Sequence, residues 1–275
     1  MVESVKELRK ICYSGPYKKR PLYMEWFTMK ISIYVTKLLL YTPIRADQVT
    51  MGMILLAIIG AVMMGFGNLW LMFIGISIIH FTVILDNVNG EVARYYKEGN
   101  IIGTFMEETF HVVSAPLIFF SLGYGVFLKT GFPSAVVFGF LAAIFSSPVI
   151  LAAINAAVVK KGVDSFVNKK PMKEYPVKGA IDVEGGSTEA GRKLYQWYDY
   201  VREFWGAPFN IVHIHVLVIL ELVYAYYSVL PSHLVLYWYL AVYGTASVIR
   251  QLASFIVHYR GKTVYHYYNA LYGKR

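Results

Sequence analysis

Six long apolar runs constrain this chain more than any other feature of its sequence. They lie at residues 49–67, 70–91, 101–128, 133–159, 209–230 and 233–258. A helix needs about 20 mostly apolar residues to cross the hydrocarbon core of a bilayer, and each run is close to that length or longer. The chain is 57% hydrophobic and 16% charged, a balance typical of a multi-pass membrane protein rather than a soluble domain. The sequence therefore predicts an all-α fold with six transmembrane helices.

The connections between these runs differ sharply in charge. Basic residues gather before the first run, between the second and third, between the fourth and fifth, and after the sixth. The other connections, at Gly67-Asn68, Lys129 and Pro231-Ser232-His233, hold almost none. Since cytoplasmic connections are enriched in Lys and Arg, we expect both termini to face the cytoplasm. The same distribution explains the net charge of +9 without a nucleic-acid partner.

The segments outside the six runs are more polar. Residues 1–21 form a basic stretch, predicted to be a poorly ordered cytosolic arm that can touch anionic lipid. Residues 22–44 mix aromatic and aliphatic residues with Glu25, Lys30 and Lys37, which predicts an amphipathic helix in the membrane interface. The alternative, given equal weight, is that this helix covers the cytosolic rim of the bundle. Residues 261–275 are predicted as a cytosolic tail.

The link from residue 160 to residue 207 is the only sizeable polar segment between two runs. A Gly185-Gly186-Ser187-Thr188 turn precedes a capped helix pattern that carries basic and aromatic residues. Such a segment can be a substrate lid or an interfacial helix, and basic-aromatic segments beside membranes favour the interfacial helix. We therefore assign the predicted six-helix domain to residues 45–260, with this link as a cytosolic insertion.

Polar side chains able to bind a metal occur at the end of the second run and the start of the third. Asp86 and Asn89 are three residues apart, and Glu107 and His111 are four apart, so each pair shares one face of a helix. Ionisable groups at membrane depth are costly and mark function by default. Two such faces meeting across a short cytosolic connection would form a compact site of oxygen and nitrogen ligands.

The spacing of this region resembles the CDP-alcohol phosphotransferase family. That family's motif is Asp-x-x-Asp-Gly-x-x-Ala-Arg, eight residues, Gly, three residues, Asp, three residues, Asp. The chain keeps five of its identities at the required spacing: Asp86, Gly90, Ala93, Arg94 and Gly103. A second similarity precedes the first run, where Asp47 and Thr50 occupy a stretch that looks like the family's Pro-Asn-x-Val-Thr entry. The resemblance covers roughly residues 22–260.

The resemblance implies specific roles for these residues. Asp86, Asn89, Glu107 and His111 would be metal ligands, and His111 would also be the base that deprotonates the acceptor hydroxyl. The positions predicted to bind the CDP-linked donor are Asp47, Thr50, Gly90, Ala93, Arg94 and Gly103. Arg250, inside the sixth run, would bind a donor or acceptor phosphate. We also expect a homodimer.

Three of the family's four motif aspartates are replaced, by Asn89, Glu107 and His111. The formal charge of the ligand set falls from four negatives to two. Mg²⁺ prefers oxygen ligands, whereas an imidazole suits Mn²⁺ and other transition metals better. We therefore expect one divalent cation, Mg²⁺ or Mn²⁺, rather than the two of the family. A mostly neutral imidazole at cytosolic pH is suited to act as a base.

Several of these residues also have purely structural explanations. Gly90 and Gly103 can serve close helix packing, which is common in membranes. Arg94 can be a cytoplasmic anchor, and Arg250 can form a structural ion pair with Glu221 or Glu108, which we weigh equally with phosphate binding. His80, His213 and His215 are interpreted as hydrogen-bonded packing residues, and Glu91 and Glu108 as poorly placed replacement ligands.

These observations predict an integral-membrane transferase with a cytoplasmic active site. It would move a phosphoryl-alcohol group from a CDP-linked donor to the hydroxyl of an alcohol or lipid acceptor and release CMP. A competing hypothesis is a catalytically inactive relative that binds nucleotide or lipid, because fold alone does not secure function. A transporter is less favoured, since the polar groups cluster at one end of the runs rather than along the bundle.

Overall fold

The fold is seen in a computed structural model that describes residues 2–14, 23–98, 101–168, 204–206 and 208–272. The described regular structure is helical. The helices run in chain order as α1 (Val5–Tyr13), a π-helical turn (Met24–Thr28), α2 (Met29–Leu39), α3 (Ala46–Gly65), α4 (Leu69–Tyr96), α5 (Ile101–Thr130), α6 (Pro133–Phe145), α7 (Val149–Val167), α8 (Phe209–Tyr227), α9 (Leu234–Arg260) and α10 (Thr263–Tyr272).

The prediction of six transmembrane helices is confirmed in length and composition. Helices long and apolar enough to span a bilayer are α3, α4, α5, the α6–α7 pair, α8 and α9. The chain is thus a multi-pass integral membrane protein. Polar ends such as Asp47 and Arg94 continue α3 three residues before its predicted run and α4 five residues past its own, whereas α3 and α8 end two and three residues earlier than predicted. Which end faces the cytoplasm stays a prediction.

The fourth run is broken, which the sequence analysis did not anticipate. Helix α6 ends at Phe145 and α7 begins at Val149, with Pro148 at the junction. Proline has no N–H to donate, and it disfavours helical geometry in the residue before it. Together α6 and α7 extend over Pro133–Val167, well past the predicted end at residue 159.

Helix α3 lies between α4 and α5 and packs against both. At its crossing with α4, a Cβ placed on Gly60 would lie 2.6 Å from the carbonyl oxygen of Gly75, and a Cβ on Gly75 would lie 2.5 Å from that of Gly60. Only glycine permits this backbone approach, the close packing typical of membrane helices. An apolar cluster that includes Met53, Leu85 and Phe110 then joins α3, α4 and α5. This cluster lies directly behind the residues of the predicted site.

The N-terminal segment packs on the bundle rather than extending away from it. Within residues 1–21, expected to be a poorly ordered arm, α1 is a helix with a Ser4 capping box, and it buries Leu8 and Cys12. Within residues 22–44, the single amphipathic helix is not confirmed. The structure has a π-helical turn followed by the shorter α2, which buries Ser32 and Thr36 against α4. Its position in a membrane interface stays a prediction.

The C-terminal tail contains a helix as well. Within residues 261–275, α10 packs on α7, where a Cβ on Gly162 would lie 2.3 Å from the Tyr272 ring. Most of the predicted link at residues 160–207, including its glycine turn, lies outside the described residues.

Candidate active site

Three of the four predicted metal ligands come together between α4 and α5. One ligand atom each from Asp86, Glu107 and His111 lies within 4.8 Å of the other two. The Nε2 atom of His111 is 3.7 Å from Oδ1 of Asp86, too far for a hydrogen bond. These three residues are called the triad below. The helical spacing of Glu107 and His111 places both on the face of α5 that meets Asp86, as the sequence predicted.

The triad combines one shielded carboxylate with two accessible ligands. The Asp86 side chain is 19% exposed, whereas that of His111 is 47% exposed and Glu107 is also exposed. The Oδ1 atom of Asp86 is buried and has no hydrogen-bond partner among the described residues. A buried carboxylate oxygen without a donor is costly, so a cation at this position would compensate it.

The triad geometry suits one divalent cation. Ligands that share one ion at about 2.1 Å cannot lie more than about 4 Å apart. The 3.7 Å separation between His111 and Asp86 meets this limit, and the exposed Glu107 carboxylate needs only a small side-chain shift to meet it. Two carboxylates and an imidazole form a mixed oxygen and nitrogen set, which favours Mn²⁺ or a similar metal over Mg²⁺.

Arg94 folds back over Gly90, one turn away on α4. Asp86, Gly90 and Arg94 follow one another at four-residue intervals, so they share one face of α4. A Cβ placed on Gly90 would lie 3.1 Å from Nη1 and 3.3 Å from Nη2 of Arg94. The absence of a side chain at Gly90 therefore makes room for the guanidinium. Arg94 remains exposed, and its planar group can bind an anion near Gly90.

The other motif residues lie on the same helices. Asn89 is buried one turn after Asp86, and Ala93 packs against the apolar cluster behind the site. Gly103 is in the first turn of α5, one turn before Glu107. The remaining motif residues therefore lie on α4 and α5, the two helices that carry the triad.

Asp47 and Thr50 are placed differently from each other. Asp47 is partly buried in the first turn of α3, where its negative charge favours the helix N-terminus. The Thr50 side chain is buried, and its hydroxyl donates to the Ala46 carbonyl within the same helix at 3.3 Å. That contact uses the hydroxyl hydrogen of Thr50 within α3 itself.

Arg250 supports the broken fourth span. Its Nη2 group donates to the carbonyls of Phe145 at 3.0 Å and Ser146 at 2.8 Å. Gln251 donates to the carbonyls of Phe145 and Ser147. These carbonyls belong to the break at Pro148, where the helix cannot satisfy them itself, and a bilayer provides no water to do so. Neither of the two predicted explanations for Arg250 anticipated this contact.

Glu221, one of the predicted partners of Arg250, has another role. Its carboxylate accepts hydrogen bonds from the backbone N–H groups of His233, Val235 and Leu236, at 2.9, 2.7 and 3.1 Å. Those groups form the N-terminus of α9, where a negative charge is stabilising. The buried Glu221 therefore holds α8 to the start of α9.

A second polar face of α4 was missed by the sequence analysis. Glu91 is fully buried, and its carboxylate accepts hydrogen bonds from the hydroxyls of Tyr13, Ser32 and Thr36. Asn87 donates to Thr28 at 2.8 Å on the same side of the helix. A signal was present, since His80, Asn87 and Glu91 recur at intervals of seven and four residues. This face anchors the N-terminal segment, and it excludes Glu91 from the triad.

The predicted packing histidines are indeed hydrogen-bonded in two of three cases. His80 contacts the Tyr23 hydroxyl through Nε2 and His215 through Nδ1, the latter at 3.0 Å. Ser77 lies 3.4 Å from Nε2 of His215. His213 packs against the Phe204 ring, and its Nε2 has no partner among the described residues. His80 and His215 therefore link the N-terminal segment, α4 and α8.

Comparison with protein-family models gives no match, and comparison with curated protein sequences gives no match either.

Proposed function

We propose that this protein is a membrane-bound phosphotransferase of the CDP-alcohol type, acting with one divalent cation. The observation that carries the proposal is the triad: two carboxylates and an imidazole, from the two helices α4 and α5, converge at one end of a six-span bundle. The motif spacing, with five identities kept, supports the same reaction class.

Asp86 and Glu107 would hold the cation, with Asn89 as an auxiliary ligand. When bound, the cation supplies charge stabilisation to the diphosphate and to the departing CMP. Arg94 would orient the donor by binding a phosphate oxygen through its planar group. The diphosphate is strongly negative, and the two carboxylates alone would repel it. The cation and Arg94 together would offset this charge.

His111 would be the base or a further ligand. As a base, Nε2 takes the proton of the acceptor hydroxyl while that oxygen forms a bond to the phosphorus of the phosphoryl-alcohol group. The bond from this phosphorus to CMP breaks, and CMP leaves with the electron pair. The product is a phosphodiester. The exposure of His111 supports this role, because an acceptor must reach the imidazole.

The proposal is tested by measuring CMP release from CDP-linked donors in detergent or proteoliposomes, with Mn²⁺, with Mg²⁺ and with chelator. We expect release that requires a divalent cation and is nearly abolished in Asp86→Asn. Glu108→Gln is the matched control, since Glu108 neighbours Glu107 in sequence but is exposed outside the triad. Full, chelator-insensitive release by Asp86→Asn would refute the metal model.

The loss of two negative ligands favours one alternative, a catalytically inactive protein that binds nucleotide or lipid. The combined change Asn89→Asp, Glu107→Asp and His111→Asp restores the family pattern. Its effect on CMP release distinguishes an active transferase from an inactive binding protein. In an active enzyme adapted to its own ligands, this triple change should weaken the natural reaction. If the natural protein is inactive on many CDP-linked donors and the triple variant releases CMP, the binding role is the better explanation.

A further inference from the structure

The end of the bundle away from the triad contains a cavity of about 390 Å³. It lies where the α3–α4 turn, the end of α5 and the α8–α9 connection meet, and the lining residues that matter here are Gly67, Asn68, Trp70, Lys129, Ser232 and His233. At about 1.5 Å per residue, Asp86 lies about 26 Å further along α4. The cavity is therefore separate from the proposed active site.

Lys129 brings a positive charge to this cavity. Its side-chain stem lies across the α3–α4 turn, because a Cβ placed on Gly67 would lie 3.1 Å from Cγ of Lys129. Gly67 has φ of 71°, which also favours glycine at this position. The salt bridges formed between described residues do not include Lys129. The exposed Lys129 lines the cavity and forms no salt bridge with a described carboxylate, so its ammonium group is available to an anionic ligand.

His233 adds a buried imidazole to the lining of the cavity. The residue is 3% exposed, and its Nδ1 lies 2.6 Å from the Ser232 hydroxyl. Burial lowers the pKa of His233, although the Gly67 carbonyl and the Glu221 carboxylate oppose this effect, and the charge of Lys129 adds to the lowering. The net lowering favours the neutral ring. When Ser232 donates to Nδ1, the ring proton is on Nε2. Nε2 has no partner of good hydrogen-bond geometry among the described residues, although the Gly67 carbonyl is close enough to affect the ring.

Asn68 and two aromatic residues complete the lining. The Oδ1 atom of Asn68 accepts from the backbone N–H groups of Trp70 at 3.0 Å and Leu71 at 3.2 Å, so its NH₂ group is left as a donor. Trp70 and Tyr226 are 66% and 82% exposed at the cavity edge. Exposed Trp and Tyr at the end of a membrane span are typical of the level of the lipid headgroups.

We propose that this cavity binds the phosphate of an anionic phospholipid headgroup, in the leaflet opposite the triad. The ammonium of Lys129, the Nε2–H of His233 and the amide of Asn68 provide donors to phosphate oxygens. Trp70 and Tyr226 contact the glycerol and upper acyl region. The site is independent of the proposed transferase activity.

The test is native mass spectrometry of the detergent-solubilised protein, titrated with phosphatidylglycerol, with zwitterionic phosphatidylcholine and with inorganic phosphate. We expect the protein to bind one phosphatidylglycerol tightly. Lys129→Gln should weaken the affinity for this lipid about tenfold, because it removes one charge-assisted contact. His233→Asn should weaken binding too, and Asn tolerates the positive φ of 69° at this position. Lys160→Gln removes the same charge from an exposed position on α7 and should leave binding unchanged.

Two results would overturn the proposal. Equal loss of lipid from Lys129→Gln and Lys160→Gln would show that phosphatidylglycerol responds only to overall charge. Binding of inorganic phosphate that depends on Lys129, together with lipid binding that does not, would assign the cavity to a free anion. Thermal unfolding of each variant in the same detergent shows whether the protein remains folded. If both His233→Asn and Lys129→Gln remain folded, both must weaken phosphatidylglycerol binding for the proposal to hold.

Discussion

At the scale of single residues, α4 carries polar chemistry on two faces. Asp86 faces α5, and no described residue donates a hydrogen bond to its Oδ1, whereas Glu91, five residues later, has each carboxylate oxygen bound by at least one hydroxyl. The two acids lie in one short motif, yet one is left for a ligand and the other is fully used by the fold. This difference separates a candidate catalytic residue from a structural one without any comparison of sequences.

Replacing Glu91 should destabilise the protein while leaving the triad in place. Glu91→Ala leaves the hydroxyls of Tyr13, Ser32 and Thr36 buried without their acceptor, which should reduce the free energy of unfolding by about 2–5 kcal/mol. Glu98→Ala is the control, because it breaks only an exposed ion pair with Arg45 and should cost less than about 1 kcal/mol. Chemical unfolding in detergent measures both. Equal stability of the two variants would contradict the anchoring role.

Replacing His111 should distinguish a base from a ligand. As a base, His111→Ala should lower the rate of CMP release by about 10²–10⁴ and leave Mn²⁺ affinity nearly unchanged. As a ligand, it should lower Mn²⁺ affinity in parallel with the rate. Calorimetric titration with Mn²⁺ alone supplies the second measurement. A variant with unchanged rate and unchanged Mn²⁺ affinity would exclude His111 from the site.

At the scale of helices, the features predicted correctly from the sequence are those that depend on the local pattern of apolar and polar residues. The six spans and the faces of α4 and α5 follow from apolar length and from three- and four-residue spacing, and the structure has both. The contacts of Glu91, Arg250 and Glu221 were not predicted, because their partners are far away in sequence or are backbone groups. No periodicity in α9 reveals that Arg250 faces the carbonyls exposed by Pro148 in another helix.

The break in the fourth span should depend on Arg250. Arg250→Leu leaves the carbonyls of Phe145 and Ser146 without these donors in an apolar environment, at a cost of about 2–4 kcal/mol in unfolding free energy. Adding Pro148→Ala should recover part of that loss, because a continuous helix can satisfy the carbonyls itself. Arg260→Leu, at the exposed end of α9, is the control. No recovery in the double variant would mean that Pro148 does not cause the break.

At the scale of the whole molecule, polar chemistry is divided between the two ends of the bundle. The triad lies between the C-terminal half of α4 and the N-terminal half of α5, while the α3–α4 turn and the α8–α9 connection share the cavity at the other end. An even number of spans places the basic connections together at the triad end. The positive-inside rule then predicts that this end faces the cytoplasm, the side on which a CDP-linked donor would be available.

This orientation is tested by single cysteines introduced in a Cys12→Ala background, which removes the native thiol. Asn68→Cys and Ser232→Cys should react with a membrane-impermeant maleimide added to intact cells, because both positions lie at the end predicted to face outward. Glu98→Cys and Gly185→Cys should react only after the membrane is permeabilised, since basic connections stay in the cytoplasm. Reaction of Glu98→Cys in intact cells, with protection of Asn68→Cys, would invert the bundle and place the triad outside. A cytoplasmic CDP-linked donor could not reach the triad in that orientation, so this one experiment also tests the proposed reaction.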